Sequence, residues 1–167
     1  SGVAVLYHPD GTYDDVYFEK QNPNVVLIDT KIITEAPLRF LVSGMGDAMA
    51  TYFEANSCEM SGALSECGGQ RTVTAMAIAK LSMDTLLEHG RQAVADMRDG
   101  KVTPSVEAIV EANTLLSGIG FESGGIAACH AIHNALTVLP GTHSMYHGEK
   151  VAFGVVTSLE ISDPLGM

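Results

Sequence analysis

The sequence predicts an edge of α/β structure, a hairpin plus one buried strand, feeding into a mainly α-helical domain. Three observations carry this expectation. β-type alternation is confined to roughly the first 30 residues. Beyond them apolar residues recur at helical spacings, and caps and breakers divide the chain into helices of ordinary length.

At the start, Val3, Val5 and Tyr7 alternate with Ala4, Leu6 and His8. Pro9-Asp10-Gly11-Thr12 supplies turn chemistry, and Thr12 to Phe18 reads as the returning strand. Asn22-Pro23-Asn24 is a second break. Val25 to Ile28 is apolar on both faces, which suits a strand buried on both sides. A two-stranded hairpin is marginal alone, so this edge needs partners.

After Thr34 the pattern is helical throughout. Pro37 to about Val42 reads as a short helix ended by Gly44-Met45-Gly46, with Asp47 opening the next helix through Ala55. For Asp47 taken alone, a helix N-cap is the default expectation. Thr72 to Met97 reads as a long helix with Met76, Met83, Leu87, Val94 and Met97 as its core stripe. Thr103 and Pro104 are the types preferred at an N-cap and first helical position, starting a helix to about Leu116. A further helix follows Ser123-Gly124 to about Val138, and His147 to Glu160 forms the last before Asp163-Pro164. The predicted division is residues 1–33 for the α/β edge and 34–167 for the helical domain.

Composition narrows the function classes. Hydrophobic residues make up 46% and charged residues 17%, as expected of a globular chain. The net charge of −11 leaves no basic footprint for nucleic acid or an anionic membrane. No apolar run is long enough to span a bilayer, and no secretory pattern opens the chain, so a cytoplasmic location is expected. Cys58, Cys67 and Cys129 match neither a zinc ribbon nor a disulfide framework, and reduced thiols are expected.

The informative stretch is His-rich. His130 and His133 are three apart on one predicted helix and share a face. His147 begins the next helix after a gap containing Pro140-Gly141, so antiparallel neighbours would return it to the same place. Imidazole is the commonest metal ligand, and a catalytic zinc takes three protein ligands plus an open position. Asp47 is a candidate carboxylate, because the glycines before it allow another group to approach. On spacing alone, ordinary surface or core histidines remain an open alternative.

Four segments point further: Ser43-Gly44-Met45-Gly46-Asp47-Ala48-Met49-Ala50-Thr51, Gly118-Ile119-Gly120-Phe121-Glu122-Ser123-Gly124-Gly125, His130-Ala131-Ile132-His133-Asn134, and Tyr146-His147-Gly148-Glu149-Lys150-Val151-Ala152-Phe153-Gly154. In content and order they resemble glycerol dehydrogenase, of the iron-containing alcohol dehydrogenase superfamily, from the opening strand to about Leu159. The resemblance implies a partial dehydroquinate synthase-like, iron-type alcohol dehydrogenase fold. It also implies NAD-dependent oxidation of glycerol, or a related vicinal diol, to dihydroxyacetone, by an enzyme that is a homo-oligomer at full length.

Carried over residue by residue, the family's metal ligands, which are also its catalytic residues, fall on Asp47, His130 and His147. His133 and Phe121 fall on the substrate side or beside the ligands, and the cofactor's binding edge falls on Ser1, Val3 and Tyr7. Iron-binding relatives place a histidine four residues after the aspartate, where this chain has Thr51. Asp plus two His suits Zn²⁺ better than a higher-coordinate iron.

The departures from the family pattern are equally specific. The family's glycine run and lysine that cradle the pyrophosphate, its acidic residue for the adenosine ribose and its last helices have no counterpart in these 167 residues. The sequence is therefore expected to be part of such an enzyme, and inactive by itself. Two other expectations stay open. A dehydroquinate-synthase-like lyase shares the architecture and the NAD requirement, although it uses glutamate in place of Asp47 and needs basic residues for a phosphate. A truncated helical metal-binding chain without catalysis is the other.

Overall fold

The computed structural model describes residues 2–162. Strands β1 (Val3–Tyr7) and β2 (Tyr13–Phe18) pair antiparallel, with Val3 opposite Phe18 and Tyr7 opposite Tyr13. In the turn the His8 N–H donates to the Thr12 carbonyl, while the Asp10 carboxylate accepts from the Thr12 N–H. This hairpin is the whole sheet among the described residues. It docks on the helices, where the Tyr13 N–H donates to Thr137 Oγ1 at 2.9 Å and the Gly2 N–H to Glu122 Oε1 at 3.1 Å.

The expected buried strand at Val25 to Ile28 does not form. The segment has no regular structure, and Leu27 is 94% exposed. A strand persists only when another strand takes up its backbone groups, and no described residue pairs with this one.

Seven α-helices follow among the described residues. They are α1 (Thr30–Glu35), α2 (Leu38–Ser61), α3 (Val73–Arg98), α4 (Pro104–Glu111), α5 (Ser117–Gly124), α6 (Ala128–Leu136) and α7 (His147–Ser162). Asp29 caps α1 through the Lys31 and Ile32 N–H groups, and Thr72 caps α3 through the Ala75 N–H. Thr103 caps α4 with Pro104 in its first turn, as predicted. The chain stays helical past Leu116, because a wider turn over Ala112–Leu116 joins α4 to α5. The next helix starts at Ala128 rather than straight after Gly124, since Gly125 takes a φ of 94° that ends α5. The predicted stop at Asp163-Pro164 lies outside the described residues.

Gly44-Met45-Gly46 does not break a helix. α2 runs through it, so Asp47 sits mid-helix and is no N-cap. The core stripe of α3 is also turned from the predicted one. Ala75, Ala79, Ser82, Leu86, Ala93 and Met97 are buried, whereas Leu87 is exposed and Met76, Met83 and Val94 are only half-buried. Small residues lie where α2 and α3 come closest, and Ser82 Oγ donates to the Ala48 carbonyl across that contact. The long side chains are displaced to its rim. The main core is built from Leu41, Leu86, Met97, Val106, Ile109 and Leu116, with a second cluster of Ala50, Cys129, Val151 and Val155.

Candidate metal centre

The site begins with two glycines. A Cβ on Gly46 would stand 2.5 Å from the Gly148 carbonyl oxygen, and one on Gly148 would collide with the Ser43 carbonyl. With hydrogen at both positions, the first turn of α7 lies directly against the middle of α2. Asp47 follows one of these glycines and His147 precedes the other, so the helix crossing itself places the two side chains together.

Asp47 Oδ1 is 3.3 Å from His147 Nε2 and 3.5 Å from His130 Nε2. One ligand atom from each of the three residues lies within 4.8 Å of the others. Tetrahedral ligands about 2.0–2.2 Å from a zinc ion stand about 3.3–3.6 Å from one another, so the two measured separations fit such a centre. The donor set is chemically suitable as well: one carboxylate and two imidazoles, with a fourth direction left open.

Electrostatics fit a site built for a cation. Desolvation alone would raise the Asp47 carboxyl, but hydrogen bonds to His130 and His147 outweigh it and hold the group well below the usual carboxylate range. Burial alone would lower the His130 imidazole, yet Asp47 and Glu54 together raise it to about 10. Both carboxylates therefore favour positive charge at this point.

Glu54 escaped the sequence reading. It is 2% exposed, and its Oε1 accepts from the Ala127 and His130 N–H groups, each at 2.9 Å. Its Oε2 lies 2.5 Å from His130 Nδ1. A signal existed: Glu54 is seven residues after Asp47, on the same face of a helix whose neighbouring positions are small or apolar. Thr51, one turn after Asp47, pairs its hydroxyl with that of Ser117 at 3.2 Å. A cavity of about 230 Å³ opens above the group, lined among others by Val3, Asp47, Phe121, His130 and His147.

No family model matches the chain. Individual proteins do. It is 55% identical to the glycerol dehydrogenase of Thermotoga maritima over 163 residues, covering 98% of this chain and 45% of that protein. Identity to the glycerol dehydrogenase of Escherichia coli O6:H1 is 50%, covering 98% of this chain and 44% of the relative. The crystal structure of a probable glycerol dehydrogenase from Sinorhizobium meliloti superposes with a TM-score of 0.94 at 42% identity, over 98% of this chain and 46% of the other. The chain is a homologue of the glycerol dehydrogenases. It spans less than half the length of each of these relatives.

The other residues singled out by the glycerol dehydrogenase resemblance surround the three. Val3 lines the cavity, and Phe121 does so with its ring centroid 6.4 Å from that of His130. Tyr7 places its hydroxyl 3.2 Å from His147 Nδ1 and 3.4 Å from His133 Nε2. Its hydroxyl pKa is raised, chiefly by burial and then by the Asp47 charge. His133 is fully buried, and its Nδ1 faces Asn134 Oδ1 at 2.8 Å. Burial, reinforced by His147, pushes its imidazole down to about 4, so it is neutral near pH 7. Ser1 lies outside the described residues. All three cysteines are free, and among the described residues no single helix is long and apolar enough to cross a membrane.

Proposed function

We propose that the chain is the metal-binding part of an NAD-dependent glycerol dehydrogenase, with Zn²⁺ held by Asp47, His130 and His147. The substrate is glycerol or a related vicinal diol, and the product from glycerol is dihydroxyacetone. Residues 1–33 belong in this reading to the edge of the nucleotide-binding domain, and 34–167 to the helical metal domain. The observation that carries the proposal is the meeting of three metal-ligating side chains from α2, α6 and α7 in a homologue of glycerol dehydrogenases. Asp47, rather than glutamate, favours a dehydrogenase over the lyase alternative.

When bound, zinc supplies a Lewis acid that makes the substrate hydroxyl more acidic, and NAD⁺ supplies the hydride acceptor. The chain's residues do the positioning. His130 and His147 both turn Nε2 toward Asp47, which leaves each Nδ1 to a hydrogen-bonding neighbour. The neighbour of His147 is the Tyr7 hydroxyl, which holds that ring from the hairpin side. Val3 and Phe121 give the cavity apolar walls that limit water around the reacting carbon.

The test is zinc content after purification with zinc and exhaustive dialysis. About one zinc per chain is expected in the wild type. His147→Ala should lose it while far-UV circular dichroism stays unchanged, because α7 is also held by Val151 and Val155. A wild-type protein that binds no zinc would overturn the proposal.

A further inference from the structure

We infer that Glu54 is the positioning residue of this centre, setting both the place and the proton arrangement of His130. The inference rests on the metal-site reading above. It starts from an unusual fact about α6: its first turn has no capping side chain of its own, with Ala127 at the N-cap. The first backbone N–H groups of a helix need acceptors. Glu54 reaches across from α2 and supplies one oxygen to the Ala127 and His130 N–H groups. The backbone of His130 is therefore anchored to the helix that carries Asp47.

The second oxygen of the same carboxylate acts on the ring. At 2.5 Å from His130 Nδ1 it requires a proton between the two atoms, and the imidazole, the stronger base of the pair, is the one that carries it. A neutral imidazole with Nδ1 protonated has its lone pair on Nε2, the atom that faces Asp47. One buried carboxylate thus fixes where α6 starts, how the ring is turned, and which nitrogen is free to ligate. A carboxylate on the far nitrogen of a ligating histidine typically contributes about 10–100-fold to metal affinity. No step in the reaction uses Glu54 directly, because its oxygens are occupied by α6.

Glu54→Gln separates these roles. Two backbone N–H groups hold the carboxamide oxygen, so the amide NH₂ must face His130 Nδ1 and donate to it. The ring proton is then forced onto Nε2, where it blocks the metal. The variant is expected to keep wild-type helix content, and to bind zinc about 10–100-fold more weakly in chelator competition. Thr51→Ala, one turn away with its hydroxyl paired to Ser117, is expected to bind zinc as the wild type does. Nitrogen-15 NMR of labelled histidine provides a reading that needs no metal. His130 Nδ1 should carry a proton in the wild type, with or without zinc, and lose it in Glu54→Gln.

Wild-type zinc affinity in Glu54→Gln, or an unprotonated His130 Nδ1 in the wild type, would overturn the inference. If the variant fails to fold, the wild-type Nδ1 reading alone decides. If the wild type binds no zinc, the proposed function falls, whereas the NMR result still decides whether Glu54 sets the proton on His130.

Discussion

Gly46→Ala tests whether the close crossing of α2 and α7 builds the proposed metal centre. The added Cβ would stand 2.5 Å from the Gly148 carbonyl oxygen and 3.0 Å from Ala152 Cβ, where ordinary contact begins at 3.4 Å. Both obstacles are fixed parts of α7, so the helices must separate by about 1 Å. Overpacking of this kind costs about 1–3 kcal/mol, while alanine in place of glycine in a helix returns about 0.5–1 kcal/mol. The net loss is then about 0–2.5 kcal/mol, a fall in Tm of up to about 10 °C for a chain of this size. The effect on the site should be larger in proportion. Ligand distances tolerate only about 0.2 Å, so moving His147 by several times that amount should weaken zinc binding by at least about tenfold. Zinc affinity from chelator competition, beside thermal unfolding, makes the comparison. Gly141→Ala is the control, because a Cβ there meets nothing within 4 Å. Wild-type zinc affinity and stability in Gly46→Ala would refute the argument that the glycine contact sets the site.

Three further outcomes are expected. Ile109→Ala empties a fully buried position in the main core and should cost about 2–5 kcal/mol, read as a lower Tm or denaturant midpoint. With a thiol reagent, the exposed Cys67 should react rapidly, while Cys58 and Cys129 react slowly even at about pH 9. Burial raises both of their thiols, Cys129 to about 11, so the reactive thiolate stays scarce until higher pH. Finally, a polypeptide of these 167 residues alone should form NADH from glycerol poorly even at millimolar NAD⁺. It spans under half of its relatives, and under the proposed function each charge-assisted hydrogen bond to NAD⁺ that the rest of such an enzyme would supply is worth about 1.5–3 kcal/mol. Robust turnover by material of confirmed mass would count against that expectation.

Much of the architecture was legible along the chain because its signals are local. Thr72 and Thr103 cap neighbouring N–H groups, Pro104 suits a first helical turn, and the alternation of Val3 to Tyr7 needs only a turn and a returning strand. The three candidate metal ligands are named by a resemblance of motifs. Their spacing alone left the alternatives open, since nothing local brings Asp47 to His147.

Tertiary contacts decided the rest. Gly44 and Gly46 look like helix breakers in isolation, yet α2 passes through them because packing against its neighbours outweighs the intrinsic cost of glycine in a helix. The apolar run at Val25 to Ile28 has the residues of a buried strand, but a strand is completed by a neighbour's backbone and not by its own side chains. Glu54 is the clearest case. An acidic residue within a helix ordinarily signals a solvated face, and only the arrival of α6, with two free N–H groups and an imidazole, makes burial of its charge favourable. Which residues can cap, turn and ligate is readable along the chain, because those properties belong to single side chains. Which of them meet was decided by helix packing, because that depends on how closely distant backbones can approach.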